Sequence, residues 1–215
     1  IGCDSFAAAV VERLHVPREG FTIVPVAVDT ARFHPPDHKR EGDPLRLLYH
    51  GRVDRRKGAL DMLRALAVLR DAGVPFALTV SGIGPDLDAS RSLADELRLD
   101  VRFSGYADYD AAPALYRQAD VFVSPTYAEG FSNTILEAMA SGIPTVSCFA
   151  VGVVDCLRDG ENGLLECRRT YSWRAVGRRI MAVYEAVRGA RPDTGFDPAL
   201  PRDSSCRFRA APHLL

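Results

Sequence analysis

The sequence predicts a doubly wound α/β domain: a parallel sheet with helices on both faces. Three observations predict it. From Leu45 to Ser147, short apolar segments alternate with segments whose apolar residues fall at helical spacing. The short segments are near-continuous runs of Val, Leu and Phe, the pattern of strands buried on both faces. The joints that leave them carry Gly, Pro, Ser and Asp, as in LYHGRVD, VSGIGPD and VSPTYAEG.

The elements follow in order. Ser5 to Leu14 reads as a helix capped by Asp4 or Ser5. Phe21 to Val24 reads as a short strand ending at Pro25, and Val28 to Gly42 as a polar, proline-bearing loop. LRLLYHG from Leu45 is the first buried strand, and Ala59 to Asp71 the first regular helix. FALTVSG is a strand before a helix from about Asp86 to Leu97. VRFSG is followed by a helix from Ala111 to Gln118, and VFVSP by one from Asn133 to Ala140. TVSCF is a fifth strand and GLL near Leu164 a short sixth. Tyr171 to Val187 is a final amphipathic helix. Residues 1–42 are read as a hinge and domain start, 43–187 as the main domain, and 188–215 as a disordered or irregular tail rich in Pro and Arg.

Composition excludes several classes. The chain has 215 residues, 47% of them hydrophobic and 26% charged, an ordinary globular mixture able to bury a core without staples. A net charge of -1 gives no field that would recruit nucleic acid. No apolar run reaches the ~18 residues of a membrane span. Cys3, Cys148, Cys156, Cys167 and Cys206 form no CxxC pair, which reads as reduced thiols in a cytoplasmic protein. The start at Ile1, without Met or a signal peptide, reads as a fragment of a longer chain.

In a doubly wound sheet, ligands sit beyond the carboxyl ends of the strands. The first such loop is His50-Gly51-Arg52-Val53-Asp54-Arg55-Arg56-Lys57-Gly58. Arg52 at its start and Lys57 at its end offer a planar fork and a point charge, a combination suited to a diphosphate. The alternative is a solvated basic loop. The second loop, Ser81-Gly82-Ile83-Gly84-Pro85, begins like a dinucleotide fingerprint, but Leu87 stands where its third Gly belongs. It is read as a tight turn near a nucleotide. The third loop runs from Pro125 to Thr134 and opens a helix. The amides of Ser132, Asn133 and Thr134 would be its unpaired donors, a ready phosphate site. Glu129 and Glu137 flank this helix start. Carboxylates beside a phosphate suggest acceptors for sugar hydroxyls. The alternative is that Thr134 to Glu137 forms a capping box and Glu129 is solvated. The triplets Asp86-Leu87-Asp88 and Asp108-Tyr109-Asp110 fall where helix caps are expected and are not assigned to a metal.

Taken together, the loops resemble glycosyltransferase family 4, of the two-domain GT-B fold. The matching segments are IVPVAVDTARFHP, YHGRVDRRKG, LTVSGIGP, VRFSGY, ADVFVSPTYAEGFSNTILEAMASGIPTVS, DGENGLL and YSWRAVGRRIMAVYEAV, which cover about residues 1 to 187. The resemblance implies that residues 43–187 are the Rossmann-like, nucleotide-sugar-binding domain in the C-terminal half of a GT-B enzyme. It implies a hexosyl-type transferase acting with retention of anomeric configuration, with a UDP or GDP type of sugar donor and neither metal nor cofactor. By position, Arg52 and Lys57 hold the donor diphosphate, Glu129 the hexose and Glu137 the ribose. Amides from Phe131 through Ser132 and Asn133 to Thr134 bind phosphate, and Tyr106 holds the base. Gly51, Gly82 and Gly130 line the donor. The acceptor, a sugar or a lipid-linked glycan, would lie with a missing N-terminal domain, and peripheral membrane contact is open to the parent enzyme. Three departures stand out. Val26-Ala27 replace the family's Asn-Gly, Val151-Gly152-Val153-Val154-Asp155 replace its Gly-Gly-x-x-Glu, and only Glu166 to Thr170 separate Leu165 from the last helix. They motivate an alternative, a non-catalytic module that binds nucleotide sugar or a partner.

Overall fold

The computed structural model describes residues 7–8, 11–13, 22–38, 42, 44–158 and 167–189. Its centre is a parallel sheet of five strands: β1 (Leu45–His50), β2 (Phe76–Ser81), β3 (Val101–Gly105), β4 (Val121–Ser124) and β5 (Thr145–Ser147). The spatial order is β3-β2-β1-β4-β5, with every neighbouring pair parallel. Among the described residues, the sheet is accompanied by helices α1 (Ala59–Asp71), α2 (Leu87–Glu96), α3 (Ala112–Gln118), α4 (Asn133–Ala140) and α5 (Trp173–Gly189).

Alternation along each strand builds two cores. On one face, Leu47 and Tyr49 of β1 and Leu78 and Val80 of β2 meet Met62, Leu63 and Leu66 of α1 and Ala94 of α2. On the other, Leu48 and Phe122 meet Tyr116 of α3 and Ile135, Leu136 and Met139 of α4. Successive residues Leu47, Leu48 and Tyr49 of β1 thus serve opposite cores in turn, which is why the middle of the strand is apolar without alternation.

The chain winds outward from β1 to β3, then crosses back to β4. The loops leaving β1 and β4 therefore part in opposite directions, and a crevice opens between them at the carboxyl end of the sheet. The amino ends are locked differently. Arg46 donates through Nε and Nη2 to Asp120 at 2.9 and 2.6 Å, while Asp120 N donates to the Arg46 carbonyl at 2.8 Å. This bidentate pair sets the β1–β4 register from below and leaves the upper end to the loops.

Strands β1 to β4 and helices α1 to α4 agree with the sequence expectation within a residue or two. Three differences are informative. Residues Thr22 to Val24 carry no strand; they run into Pro25, which has no N–H to give a ladder. Strand pairing begins instead at Val28, which bridges Ser172 and donates to the Tyr171 carbonyl at 2.8 Å. The fifth strand stops at Ser147 rather than Phe149, because pairing with β4 ends at Ser124↔Ser147. The last helix spans Trp173–Gly189, after a π-turn over Cys167–Tyr171. The sixth strand expected near Leu164, most of the first helix and the tail beyond Gly189 lie outside the described residues.

Candidate functional site

The crevice begins as backbone packed on backbone. Gly51 N donates to Ser81 O at 2.9 Å, Val53 N to Ile83 O at 3.0 Å, and Asp86 N to Val53 O at 3.1 Å. Gly82 N donates to Gly105 O at 2.7 Å. The loops after β1, β2 and β3 are thereby joined into one shelf. A Cβ on Gly82 would lie 1.8 Å from Gly51 O, so no other residue fits there. The glycines of SGIGP thus serve contact between loops, which accounts for the missing third glycine of a dinucleotide fingerprint. Gly51 and Gly130 differ: a Cβ on either would meet nothing within 4 Å. Their α-carbons face open space, as residues lining a ligand would.

The β4 loop closes over this shelf. Gly58 passes so near it that a Cβ there would lie 2.2 Å from Pro125 O. Tyr127 N donates to Arg56 O at 2.9 Å, and the hydroxyl of the fully buried Thr126 reaches Ala128 O at 3.2 Å. From the far side, Glu129 N donates to Val151 O at 3.0 Å. A Cβ on Gly152 would lie 2.5 Å from Glu129 O. Of the residues departing from the family's Gly-Gly pair, the one that stays glycine is the one whose position admits nothing else.

Of the predicted charged residues, Lys57 and Glu129 meet directly, while Arg52 turns to Asp54. Lys57 Nζ forms an ion pair with Glu129 Oε1, their side chains 24% and 10% exposed. Asp54 caps the 3₁₀ turn Arg55–Lys57, accepting from Lys57 N at 2.9 Å, and also pairs with Arg52 Nε at 3.0 Å. The Arg52 carbonyl accepts from the Tyr49 hydroxyl at 2.6 Å, which fixes the backbone while the guanidinium stays exposed. Glu129 is therefore not solvated, and the basic loop is not merely a wet surface.

Helix α4 starts at the same place. Ser132 is its N-cap in extended conformation, and no side chain caps the first turn. Its opening amides thus lack intrahelical acceptors, with the helix dipole behind them. Thr134 and Glu137 form no capping box. Phe131 packs its ring against Tyr171 at 5.6 Å, anchoring the entry to the helix, and Asn133 is exposed. In the second turn, Glu137 Oε2 accepts a 2.8 Å hydrogen bond from the Tyr116 hydroxyl. Burial pushes the Glu137 carboxyl up to about 7, against the pull of that hydrogen bond. Tyr106, expected to hold a base, follows β3 with its side chain 74% exposed.

The sequence reading missed Tyr116, His50 and Asp54. His50 ends β1, where its Nδ1 lies 3.1 Å from Ser81 Oγ and its ring stands edge-on to Tyr116 at 5.8 Å. Burial lowers its pKa, so its imidazole is neutral near pH 7. Tyr116 sits among apolar residues at helical spacing, and nothing in one sequence separates it from a core aromatic.

The family model described as glycosyl transferases group 1 matches residues 31–186. The chain belongs to this family. It is 31% identical over 201 residues to the D-inositol 3-phosphate glycosyltransferase of Arthrobacter sp. (strain FB24), covering 85% of this chain and 47% of that protein. The chain spans less than half the length of the curated relatives it matches. Among solved structures, HepE of Anabaena in complex with UDP-glucose superposes with a TM-score of 0.71 at 14% identity, over 84% of this chain and 61% of that one. The C-terminal domain of the group 1 family protein LpcC from Francisella tularensis superposes with a TM-score of 0.56 at 23% identity, over 75% of this chain and 88% of that domain. Both share the Rossmann-like α/β fold described above. No helix among the described residues is long and apolar enough to cross a membrane.

Proposed function

We propose that this group 1 glycosyltransferase domain is the donor side of a retaining, hexosyl-type enzyme, and that its crevice takes a nucleoside-diphosphate sugar of the UDP or GDP type. The observation that carries the reading is the Lys57–Glu129 ion pair beside the uncapped start of α4. A cation, a carboxylate and the uncapped start of α4 in one crevice match the three parts of such a donor. The amides of Phe131 to Thr134 and the dipole of α4 take one phosphate. Lys57 turns from Glu129 to the other, with Arg52 as a second cation at the rim. The freed Glu129 carboxylate accepts from hexose hydroxyls, Glu137 accepts from the ribose, and Tyr106 covers the base.

The same groups explain the chemistry. When the bond between the anomeric carbon and the diphosphate breaks, negative charge grows on the leaving oxygen. Arg52, Lys57 and the α4 terminus are placed where that charge develops, which is how fixed charges and dipoles lower a barrier. The reading assigns no covalent nucleophile on the protein and no metal. Acceptor choice belongs to the domain that faces this one in the GT-B arrangement. The C-terminal domain of LpcC and the UDP-glucose complex of HepE support the assignment of domain and donor class.

The deciding experiment is calorimetry of the 215-residue chain with UDP-glucose, GDP-mannose and ADP-glucose. Saturable heat with at least one is expected, and its loss in Lys57→Ala. No heat with any of the three overturns the proposal. Retention is tested on the complete enzyme, by the anomeric proton coupling of the first-formed product.

A further inference from the structure

We infer that Tyr116 is a positioning residue, whose buried hydroxyl sets the Glu137 carboxylate toward the ribose hydroxyls of the donor. The inference rests on the donor-binding reading and adds to it a residue that does not itself touch the donor.

The geometry begins with the ring. Tyr116 is fully buried, edge-on to Phe33 at 5.6 Å and to His50 at 5.8 Å, and tilted against Phe122 at 5.5 Å. Three rings from the entry loop, β1 and β4 leave the phenol one seat. Its hydroxyl therefore has a fixed address, and a buried hydroxyl requires a partner. Two acceptors lie in reach: Glu137 Oε2 at 2.8 Å and Thr134 O at 3.3 Å. A phenol carries a single proton. The shorter contact goes to the carboxyl, which is ionised above about pH 7, and receives it, and the Thr134 carbonyl is secondary.

The hydrogen bond crosses from α3 to α4, so it orients Glu137 from outside its own helix. A carboxylate on a helix otherwise samples several rotamers, and each lost rotamer costs free energy when a ligand selects one. Tyr116 removes that cost beforehand. It occupies Oε2 and leaves Oε1 with no hydrogen bond among the described residues. Among the described residues, the titratable groups coupled to Glu137 are phenols. Tyr116 on α3 and Tyr109 in the loop before it are both raised above their ordinary value, chiefly by burial, so neither is an anion near pH 7. Tyr109 in turn faces Asp29 and Arg32, the latter stacked over its ring at 4.7 Å and paired with Asp110.

A hole-filling role would make Tyr116 matter for stability alone. A positioning role makes it matter for one part of the ligand. The test is calorimetry of the 215-residue chain at pH 8, where Glu137 is ionised, with UDP and 2′,3′-dideoxy-UDP, and with the corresponding GDP and ADP pairs. The wild-type chain is expected to favour the nucleotide with ribose hydroxyls by about ten-fold or more, the scale of a hydrogen bond to a charged group. Tyr116→Phe is expected to lose most of that ratio while binding the dideoxy nucleotide as before. A variant that weakens both nucleotides equally, or keeps the full ratio, overturns the inference. Should Tyr116→Phe not fold, replacing Tyr116 by 3-fluorotyrosine, nearly isosteric and a stronger donor, decides. The ratio then develops at lower pH than in the wild type; an unmoved midpoint overturns the inference. No heat with any of the six nucleotides removes the donor-binding reading itself. Heat with equal affinity inside each pair leaves that reading standing and overturns this one.

Discussion

Lys57 and Glu129 hold opposite charges at the crevice with little solvent around either side chain. Removing one partner strands the other, and a half-buried charge without its partner is costly. Lys57→Met is expected to lower stability by about 1–3 kcal/mol in urea denaturation, the range for an orphaned buried polar group. Glu129→Gln added to Lys57→Met should cost less than the two single changes together, because the stranded carboxylate is gone. Additive losses would mean that the two side chains stabilise the fold independently. Glu137 is a different case, because its carboxyl is held up to about 7 by burial. An unfolded glutamate titrates near 4.5, so between pH 4.5 and 7 the folded chain keeps a proton that the unfolded chain has lost. Stability from this group therefore falls as pH rises through that window and is level above it. The drop is on the order of 3 kcal/mol. Glu137→Gln, which cannot ionise, should be more stable than the wild type at pH 8 and similar to it near pH 4.5. Chemical denaturation of both proteins across this range checks the sign; a gap that is constant with pH refutes it.

The loops work as one element because glycines let their backbones touch. Gly82 against Gly51, Gly58 against Pro125 and Gly152 against Glu129 are three such contacts. Gly152→Ala combines a positive φ of +78° with a Cβ 2.5 Å from a carbonyl oxygen. It should cost about 2 kcal/mol or more of stability and weaken sugar-nucleotide binding, since it displaces the residue that pairs with Lys57. Gly130→Ala meets open space and should leave stability within about 0.5 kcal/mol. Thermal melts of the two variants separate a glycine needed by the fold from one that merely stands at the crevice. These contacts mark the limit of what the sequence discloses. Strands such as LRLLYH and helices such as ALDMLRALAVLRD announce themselves, because burial imposes a period that survives any tertiary detail. Arg52, Lys57, Glu129 and the start of α4 are legible as a charge pattern at strand ends. That Lys57 turns to Glu129 while Arg52 turns to Asp54 is not, since the choice depends on how far each loop leans over its neighbour. Tyr116 is hidden for another reason. It fills an apolar position on α3, and its hydroxyl acquires meaning only when α4 brings Glu137 to it. The strand expected at Phe21 to Val24 is absent over Thr22 to Val24 because the segment runs into Pro25, and pairing starts only at Val28.

Across the whole molecule, a parallel sheet makes its two ends chemically unequal. At the amino ends, the Arg46–Asp120 fork ties β1 to β4 in a charge-satisfied pair. At the carboxyl ends, the loops carry Arg52, Lys57, Glu129 and the uncapped turn of α4. A ligand that binds here stabilises the fold by mass action, about 2.7 kcal/mol at a hundred times its dissociation constant. Amides that exchange only by global unfolding all share that gain, so the ligand's place is read from amides that exchange by local opening. Hydrogen exchange should therefore slow on adding a saturating nucleoside diphosphate in residues 51–58, and in 129–137, where α4 begins. It should stay unchanged in locally opening amides at the amino ends, such as Gly73 and Val74 in the turn before β2. Raising salt from about 50 to 500 mM should weaken binding several-fold, because exposed Arg52 is screened more than half-buried Lys57. Protection that appears equally at both ends would report general tightening of the domain rather than occupancy of the crevice. Protection confined to the amino ends would place the ligand elsewhere and remove Arg52, Lys57 and Glu129 from its site.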